Sequence, residues 1–360
     1  DINAILTTRV QAGNPPDIAI LPNPGTMVEL ARDGKLVNLG EVYDMADFRK
    51  NFSQGWIDLG TVDGKLYGVY LKAAIKGLVW YNPVTVASLG ISLPKTWDEL
   101  QMVSQKAIAA GISPWAIGVE SGAASGWVGT DWIENIFLRI NGPKLYKDWY
   151  EGRLAWTSPE VKKAFQYFGQ VVGDPKMAYG GKAYILSTNF GAAHAPLFQT
   201  PPKALFHQQA SFLQSFIKEQ FPALTVGKDF SFFGFPAIDS RYAKAVEGAG
   251  DCVVALKPSA AAAEFLKFLA SAEGQTYWAA TGALSTNRTV PLTAYTDPLT
   301  KEAARILNES EMVVFDASDM MPGAMNEAFW GAIMSFVNDP ASLDKILADL
   351  DKVRMDAYKK

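Results

Sequence analysis

The chain has 360 residues, long enough for about two domains, and 49% of them are apolar, so a sizeable interior can be buried. A formal net charge of −4 without a basic stripe argues against a nucleic-acid partner, and no apolar run is long enough to span a bilayer. Ten tryptophans, thirteen tyrosines and twenty phenylalanines accompany one cysteine and two histidines, a balance that points to binding before catalysis.

In chain order, residues 3–12 read as the end of an amphipathic helix with Ile5, Leu6 and Val10 at helical spacing, broken by Gly13-Asn14-Pro15-Pro16. Asp17 to Leu21 is a short apolar strand. The turn Pro22-Asn23-Pro24-Gly25 follows, and then a helix over about 26–32, which makes a βα unit. Gly64 to Val69 predicts a hairpin strand, and Leu78 to Tyr81 a second strand ended by Asn82-Pro83. Thr96-Trp97-Asp98-Glu99 is a capping box opening a helix to about Ala110, and Ser158-Pro159 opens another with Val161, Ala164, Phe165, Phe168 and Val172 on one side. Residues 173–235, rich in glycine, proline and aromatics, read as helices joined by long loops. A strand is expected over 251–256, a helix over 259–272, and two helices over 324–337 and 340–358.

Several segments stand in a specific order and spacing. They are Asn14-Pro15-Pro16-Asp17-Ile18-Ala19, Asp63-Gly64-Lys65-Leu66-Tyr67-Gly68-Val69, Leu78-Val79-Trp80-Tyr81-Asn82 and Pro94-Lys95-Thr96-Trp97-Asp98-Glu99-Leu100. Gly126-Trp127 with Thr130-Asp131-Trp132, Phe268-Leu269-Ala270-Ser271, Phe315-Asp316-Ala317-Ser318-Asp319, Met321-Pro322-Gly323-Ala324 and Ala328-Phe329-Trp330 complete the series. Together they resemble the extracellular solute-binding proteins of bacterial carbohydrate ABC importers, in the alpha-glucoside-binding branch. That resemblance implies an α/β, two-lobed type II periplasmic-binding-protein fold. Each lobe would be a mostly parallel sheet flanked by helices, closing over a sugar in the cleft between lobes. The expected lobes are 1–73 with 252–308, and 74–251 with 309–360. Crossings are expected near 72–80, 246–252 and 305–315, and Gly248 and Gly250 suit the second. The family's opening strand, helix and strand have no counterpart here, so the first lobe is expected to be incomplete at its front and the isolated chain weakened.

The candidate ligand contacts follow. Trp330 lies where the family places a tryptophan that stacks on a pyranose; the plain alternative is a core indole beside Phe329 and Phe336. Asn23, Pro24 and Gly25 follow a strand at its C-terminal end, where open α/β sheets bind ligands, or else form only a tight turn. Trp127 and Asp131 combine an indole with a carboxylate suited to sugar hydroxyls, although Asp131 with Glu134 also fits a helix N-cap. Lys76 is placed at the first crossing as a donor, Gly250 and Asp251 at the second as ligand contacts or hinge-ordering groups. Asp316 and Asp319, spaced i, i+3, are read as hydroxyl acceptors rather than a glycosidic acid/base pair. Gly323, in the same segment, joins them.

Arg288 reads as solvated surface and Cys252 as an inert buried thiol. His194 and His207 lack companions at metal-ligand spacing, so no metal or cofactor is expected, and His207 reads as packed or surface. The expectation is a receptor for an alpha-glucoside or small oligosaccharide. It would be a monomer, periplasmic or extracellular and possibly lipid-anchored, delivering its sugar to the permease subunits. A glycoside-acting enzyme and a sugar-sensing module for a chemoreceptor or kinase are the alternatives.

Overall fold

The computed structural model describes residues 2–310 and 312–359. Its strands are β1 (Ile18–Leu21), β2 (Thr61–Val62), β3 (Lys65–Leu66), β4 (Gly68–Ile75), β5 (Leu78–Tyr81), β6 (Ser113–Trp115), β7 (Ala204–Gln208), β8 (Ser231–Gly234), β9 (Ala245–Ala255) and β10 (Met312–Phe315). The chain divides into two compact units. The first comprises Asp1–Ala74, Ala249–Arg305 and Asp319–Gly323; the second comprises Ile75–Gly248, Ile306–Ser318 and Ala324–Lys360. The fold class is mixed α/β. Within the expected crossing at 305–315 the division falls after Arg305, and Glu311 lies outside the described residues.

In the first unit, β1 runs antiparallel to the end of β9, Ile18 facing Ala255 and Leu21 facing Cys252. The hairpin β2–β3 turns through Asp63 and Gly64, both at positive φ (49° and 79°), as a two-residue turn between right-twisted strands requires. Its core gathers Phe48, Phe52, Ile57, Leu66, Val69, Leu71, Val253, Leu266 and Leu269. The helix after β1 begins at Pro24, two residues earlier than predicted, because proline's fixed φ suits the first helical position. Residues 319–323 were expected with the second lobe but cluster with the first unit. The cause is local: a Cβ on Gly25 would lie 2.0 Å from the Met321 carbonyl oxygen, so only glycine lets that segment lie against the helix start. Gly323 N then donates to Glu29 Oε1 at 3.1 Å.

The second unit is built on a sheet of order β6-β7-β5-β8. β6 and β7 pair in parallel, and β5 runs antiparallel to both β7 and β8. Three strands therefore point one way, and β5 alone runs against them. Strands β7 and β8 fall where the sequence suggested only helices and loops. β7 (Ala-Leu-Phe-His-Gln) is buried at every position, so it carries none of the alternation that marks a half-exposed strand. Helix Pro159–Val172 is capped by Ser158 and buries Val161, Ala164, Phe165, Phe168 and Val172, the predicted face. Helix Trp127–Tyr150 is two helices joined at Gly142 (φ 76°), immediately before Pro143. Aromatic side chains fill the interior: Trp115 meets Trp132 edge-on at 4.7 Å, and Phe329 meets Trp149 and Trp156 at 5.6 and 4.8 Å. β9 starts at Ala245 rather than 251. Its first residues, Ala245–Gly248, pair in parallel with β10. Ala, Glu and Gly have little intrinsic strand preference, and it is that pairing that makes them a strand.

Candidate functional site

The second unit holds a cluster around Lys76, which follows β4 directly. Its backbone N–H donates to the Glu247 carbonyl at 2.9 Å and its carbonyl accepts from Gln208 Nε2 at 2.8 Å, which fixes the residue between two strands. Its ammonium donates to Asp131 Oδ1 and Oδ2 at 3.0 and 3.1 Å and lies 3.0 Å from Asp316 Oδ2. The three residues are 6%, 1% and 1% exposed. The same ammonium stands 4.6 Å from the centre of the Trp127 ring, a cation–π distance.

Asp131 is not the helix N-cap that the sequence also suggests. The helix begins at Trp127 with Gly126 as its cap, so Asp131 sits inside it and points its carboxylate at Lys76. Gly126 has φ 113°, and a Cβ there would lie 2.3 Å from the Trp330 carbonyl oxygen. Beneath Asp316, Ser318 Oγ donates to Asp316 Oδ1 at 2.9 Å and lies 3.2 Å from Thr130 Oγ1. Glu134, one helical turn beyond Asp131, accepts the backbone N–H groups of Ala317 and Ser318 at 2.7 and 3.1 Å and the Tyr146 hydroxyl at 3.2 Å. Arg139 spends its guanidinium on the carbonyls of Phe235, Asn135 and Ala245 and on Asn135 Oδ1. Burial raises the Asp131 carboxyl above its ordinary range against the pull of Lys76, and burial lowers Arg139 to about 10.

Trp127 is half-buried and meets Phe190 edge-on at 5.0 Å and Phe212 at 6.2 Å. Trp330 is 7% exposed, and its indole N–H has no hydrogen-bond partner among the described residues. Of the two candidate indoles, Trp127 is therefore the more accessible.

In the first unit, Asn23 is buried, donates to Asp319 Oδ1 and accepts from Asn3 Nδ2 at 2.7 Å. Pro24 and Gly25 form the helix start already described. Asp251 pairs with Lys72 at 2.8 Å, and the Lys72 ammonium lies 5.4 Å from the Trp278 ring centre. A Cβ on Gly250 would approach the Lys72 carbonyl oxygen to 2.7 Å and the Tyr70 ring to 3.1 Å, and Trp56 packs on Tyr70 at 5.1 Å. Asp316 and Asp319, read together as an i, i+3 pair, belong to different units and have different partners.

Sequence reasoning placed Glu134 only in a helix's first turn, and it missed Glu247, Phe190 and Phe212 in the second unit and Trp56 and Trp278 in the first. The signal for the aromatics was weak, since most buried rings in this chain are simply core. Glu247 lies within the expected crossing at 246–252 and carries no local signal of burial. His194 and His207 are both fully buried, with ring centres 6.2 Å apart, and His207 Nδ1 lies 2.8 Å from the Ala116 carbonyl. Cys252 is buried, and burial pushes its thiol up to about 12. Arg288 is exposed and donates to the Lys50 carbonyl at 2.6 Å and to the Arg49 carbonyl.

Chemically, the second unit presents a half-open aromatic group beside charged groups that hold one another. Asp131, Glu247 and Asp316 bring oxygens within 4.8 Å of one another, a spacing a metal ion could bridge, but the Lys76 ammonium already contacts two of the three. The profile of the bacterial extracellular solute-binding protein family matches residues 2–276. The chain belongs to that family. It is 39% identical to the osmoprotective compounds-binding protein GgtB of Synechocystis sp., over 92% of this chain and 78% of that one. It is 36% identical to the alpha-glucosides-binding periplasmic protein AglE of Rhizobium meliloti, over 93% and 74%. A chitin oligosaccharide binding protein of known structure superposes with TM-score 0.86 at 22% identity, covering 99% of this chain and 87% of that one, which shows a shared type II binding-protein fold. As a member of this solute-binding family the protein is a binding component and not an enzyme.

Proposed function

We propose that the protein is the solute-binding receptor of an ABC sugar importer, and that its ligand is an alpha-glucoside or small oligosaccharide. The observation that carries this reading is Trp127, a half-buried indole with Phe190 and Phe212 at its sides and the Lys76 ammonium at 4.6 Å. A pyranose presents a weakly apolar C–H face, and an indole face is its natural complement. A partly exposed pair already oriented by mutual contact, Lys72 with Asp251 in the first unit, meets hydroxyls without first losing rotamer freedom. The first unit offers groups of the same chemistry in Trp56, Trp278, Lys72 and Asp251. Two relatives named for alpha-glucosides and for osmoprotective compounds support the ligand class.

In this reading the protein works as a monomer outside the cytoplasmic membrane, free in the periplasm or held by a lipid anchor, and passes its sugar to the permease. No cofactor takes part. A thermal-shift screen with maltose, trehalose, sucrose and raffinose tests the ligand class. A sugar at 100 times its Kd stabilises by roughly 2.7 kcal/mol, a shift of several degrees. A shift with an alpha-glucoside and none with an amino acid or peptide panel is expected; the opposite pattern would contradict the reading.

A further inference from the structure

Glu247 is a buried carboxyl group without a counter-ion in contact among the described residues. It is 0% exposed, and neither carboxylate oxygen has a hydrogen-bond partner among the described residues. Its neighbours make ionisation harder still. Asp131 and Asp316 bring carboxylate oxygens within 4.8 Å of it, and Glu134 adds a fourth carboxylate nearby. Two cations face this group. Lys76 is spent on Asp131 and Asp316, and Arg139 is spent on three carbonyls and an amide oxygen. Tyr146, the remaining titratable neighbour, is bonded to Glu134, and burial holds its hydroxyl neutral. An unpaired carboxylate in such a place protonates rather than remain charged.

The position is as informative as the environment. The second unit's chain segments begin or end at Ile75, Gly248 and Ser318. Lys76, Glu247 and Asp316 each lie within two residues of one of these boundaries. Backbone bonds tie the three together: Lys76 N–H to the Glu247 carbonyl at 2.9 Å, and Asp316 N–H to the Gly248 carbonyl at 2.8 Å. One charge cluster within the second unit thus holds together residues near the ends of two of its chain segments.

We propose that Glu247 holds a proton at neutral pH, so that no further negative charge is buried beside the Lys76–Asp131–Asp316 cluster, making the protein's stability depend on alkaline titration of one buried carboxyl. The Asp pair keeps its ammonium; Glu247, which has no bond to either cation, takes the proton. Burial and the surrounding carboxylates raise its titration well above that of an ordinary glutamate. The native state then binds more protons than the unfolded chain, so stability falls as pH rises from the ordinary glutamate range towards the native value. This inference does not depend on which solute the protein binds.

The test compares wild type with Glu247→Gln, which keeps the shape and removes the titration. Unfolding midpoints are measured from about pH 6 to about pH 9. Wild type should lose stability steadily across that range, and Glu247→Gln should show a markedly flatter profile with a midpoint at the alkaline end no lower than wild type's. Infrared difference spectroscopy of wild type supplies a second readout that needs no variant to fold. A protonated carboxyl C=O stretch at neutral pH, lost on alkaline titration and absent from Glu247→Gln, is expected. Parallel stability profiles would overturn the proposal. So would the absence of the stretch from wild type, or its persistence in Glu247→Gln, which would place the proton on the aspartates.

Discussion

The ammonium of Lys76 and the carboxylate of Asp316, 240 residues apart in the chain, meet at 3.0 Å in a setting with almost no solvent. A buried pair of this kind adds little net stability, because desolvation of both charges offsets their attraction. Its loss is another matter. Lys76→Met would leave Asp131 and Asp316 buried without their cation, and the expected cost is about 3–5 kcal/mol. Urea unfolding checks this: a clear fall in midpoint is expected, and a change within error would mean that the two aspartates find other partners.

Gly25→Ala should destabilise the first unit. The new Cβ would sit 2.0 Å from the Met321 carbonyl oxygen, a backbone atom with no flexible tip to yield. About 1–3 kcal/mol is expected, by analogy with overpacked cores. Gly34→Ala is not a neutral control, because Gly34 has φ 66°; Gly55→Ala, open except for the Ser53 hydroxyl at 4.0 Å, serves better. Calorimetric melting should separate the two, and equal midpoints would contradict the packing argument.

Acid should unfold the protein through its histidines. Burial holds His194 down to about 3 and His207 to about 4, while the unfolded chain titrates near 6.5. The unfolded state therefore binds more protons over that window. The stability these groups contribute is whole above about pH 6.5 and is lost as pH falls towards the folded values, by about 3 kcal/mol for His207. His207→Gln should flatten the acid limb of the stability curve. Parallel limbs for variant and wild type would assign acid unfolding to other groups.

The two candidate tryptophans should separate by what their loss damages. Trp330 is nearly enclosed, so Trp330→Ala should cost about 3–5 kcal/mol of stability whatever it does to binding. Trp127 is half-buried, and Trp127→Ala should lower sugar affinity with a smaller fall in melting temperature. Melting curves with and without sugar on both variants check this, and a larger stability loss in Trp127→Ala would reverse the assignment.

What was legible in the sequence was what local chemistry determines. Ser158-Pro159 and Thr96 announce their helices because a hydroxyl cap and a proline at the first position act within one turn, and Thr96 Oγ1 does accept the Glu99 N–H at 3.2 Å. Gly64 to Val69 was legible as a hairpin strand, while the turn itself, at Asp63 and Gly64 with two successive positive φ values, was not singled out. The Lys76–Asp131–Asp316 cluster was named residue by residue, yet nothing local revealed that the three bond to one another, since their contacts span 55 residues and more. Glu247 was invisible for a further reason. It lies within the expected crossing at 246–252, and only pairing of β9 with β10 makes it part of a buried strand. β7 escaped because a strand buried throughout lacks the alternation by which strands are recognised.

Isothermal titration of the purified protein with maltose, trehalose and sucrose, repeated on Trp127→Ala, bears most directly on the function. Saturable one-site binding of at least one of these sugars is expected, weakened by about tenfold or more in the variant, the scale of about 1.4 kcal/mol for one lost stacking contact. Heats no larger than dilution for all three, or an affinity unchanged in Trp127→Ala, would contradict the account.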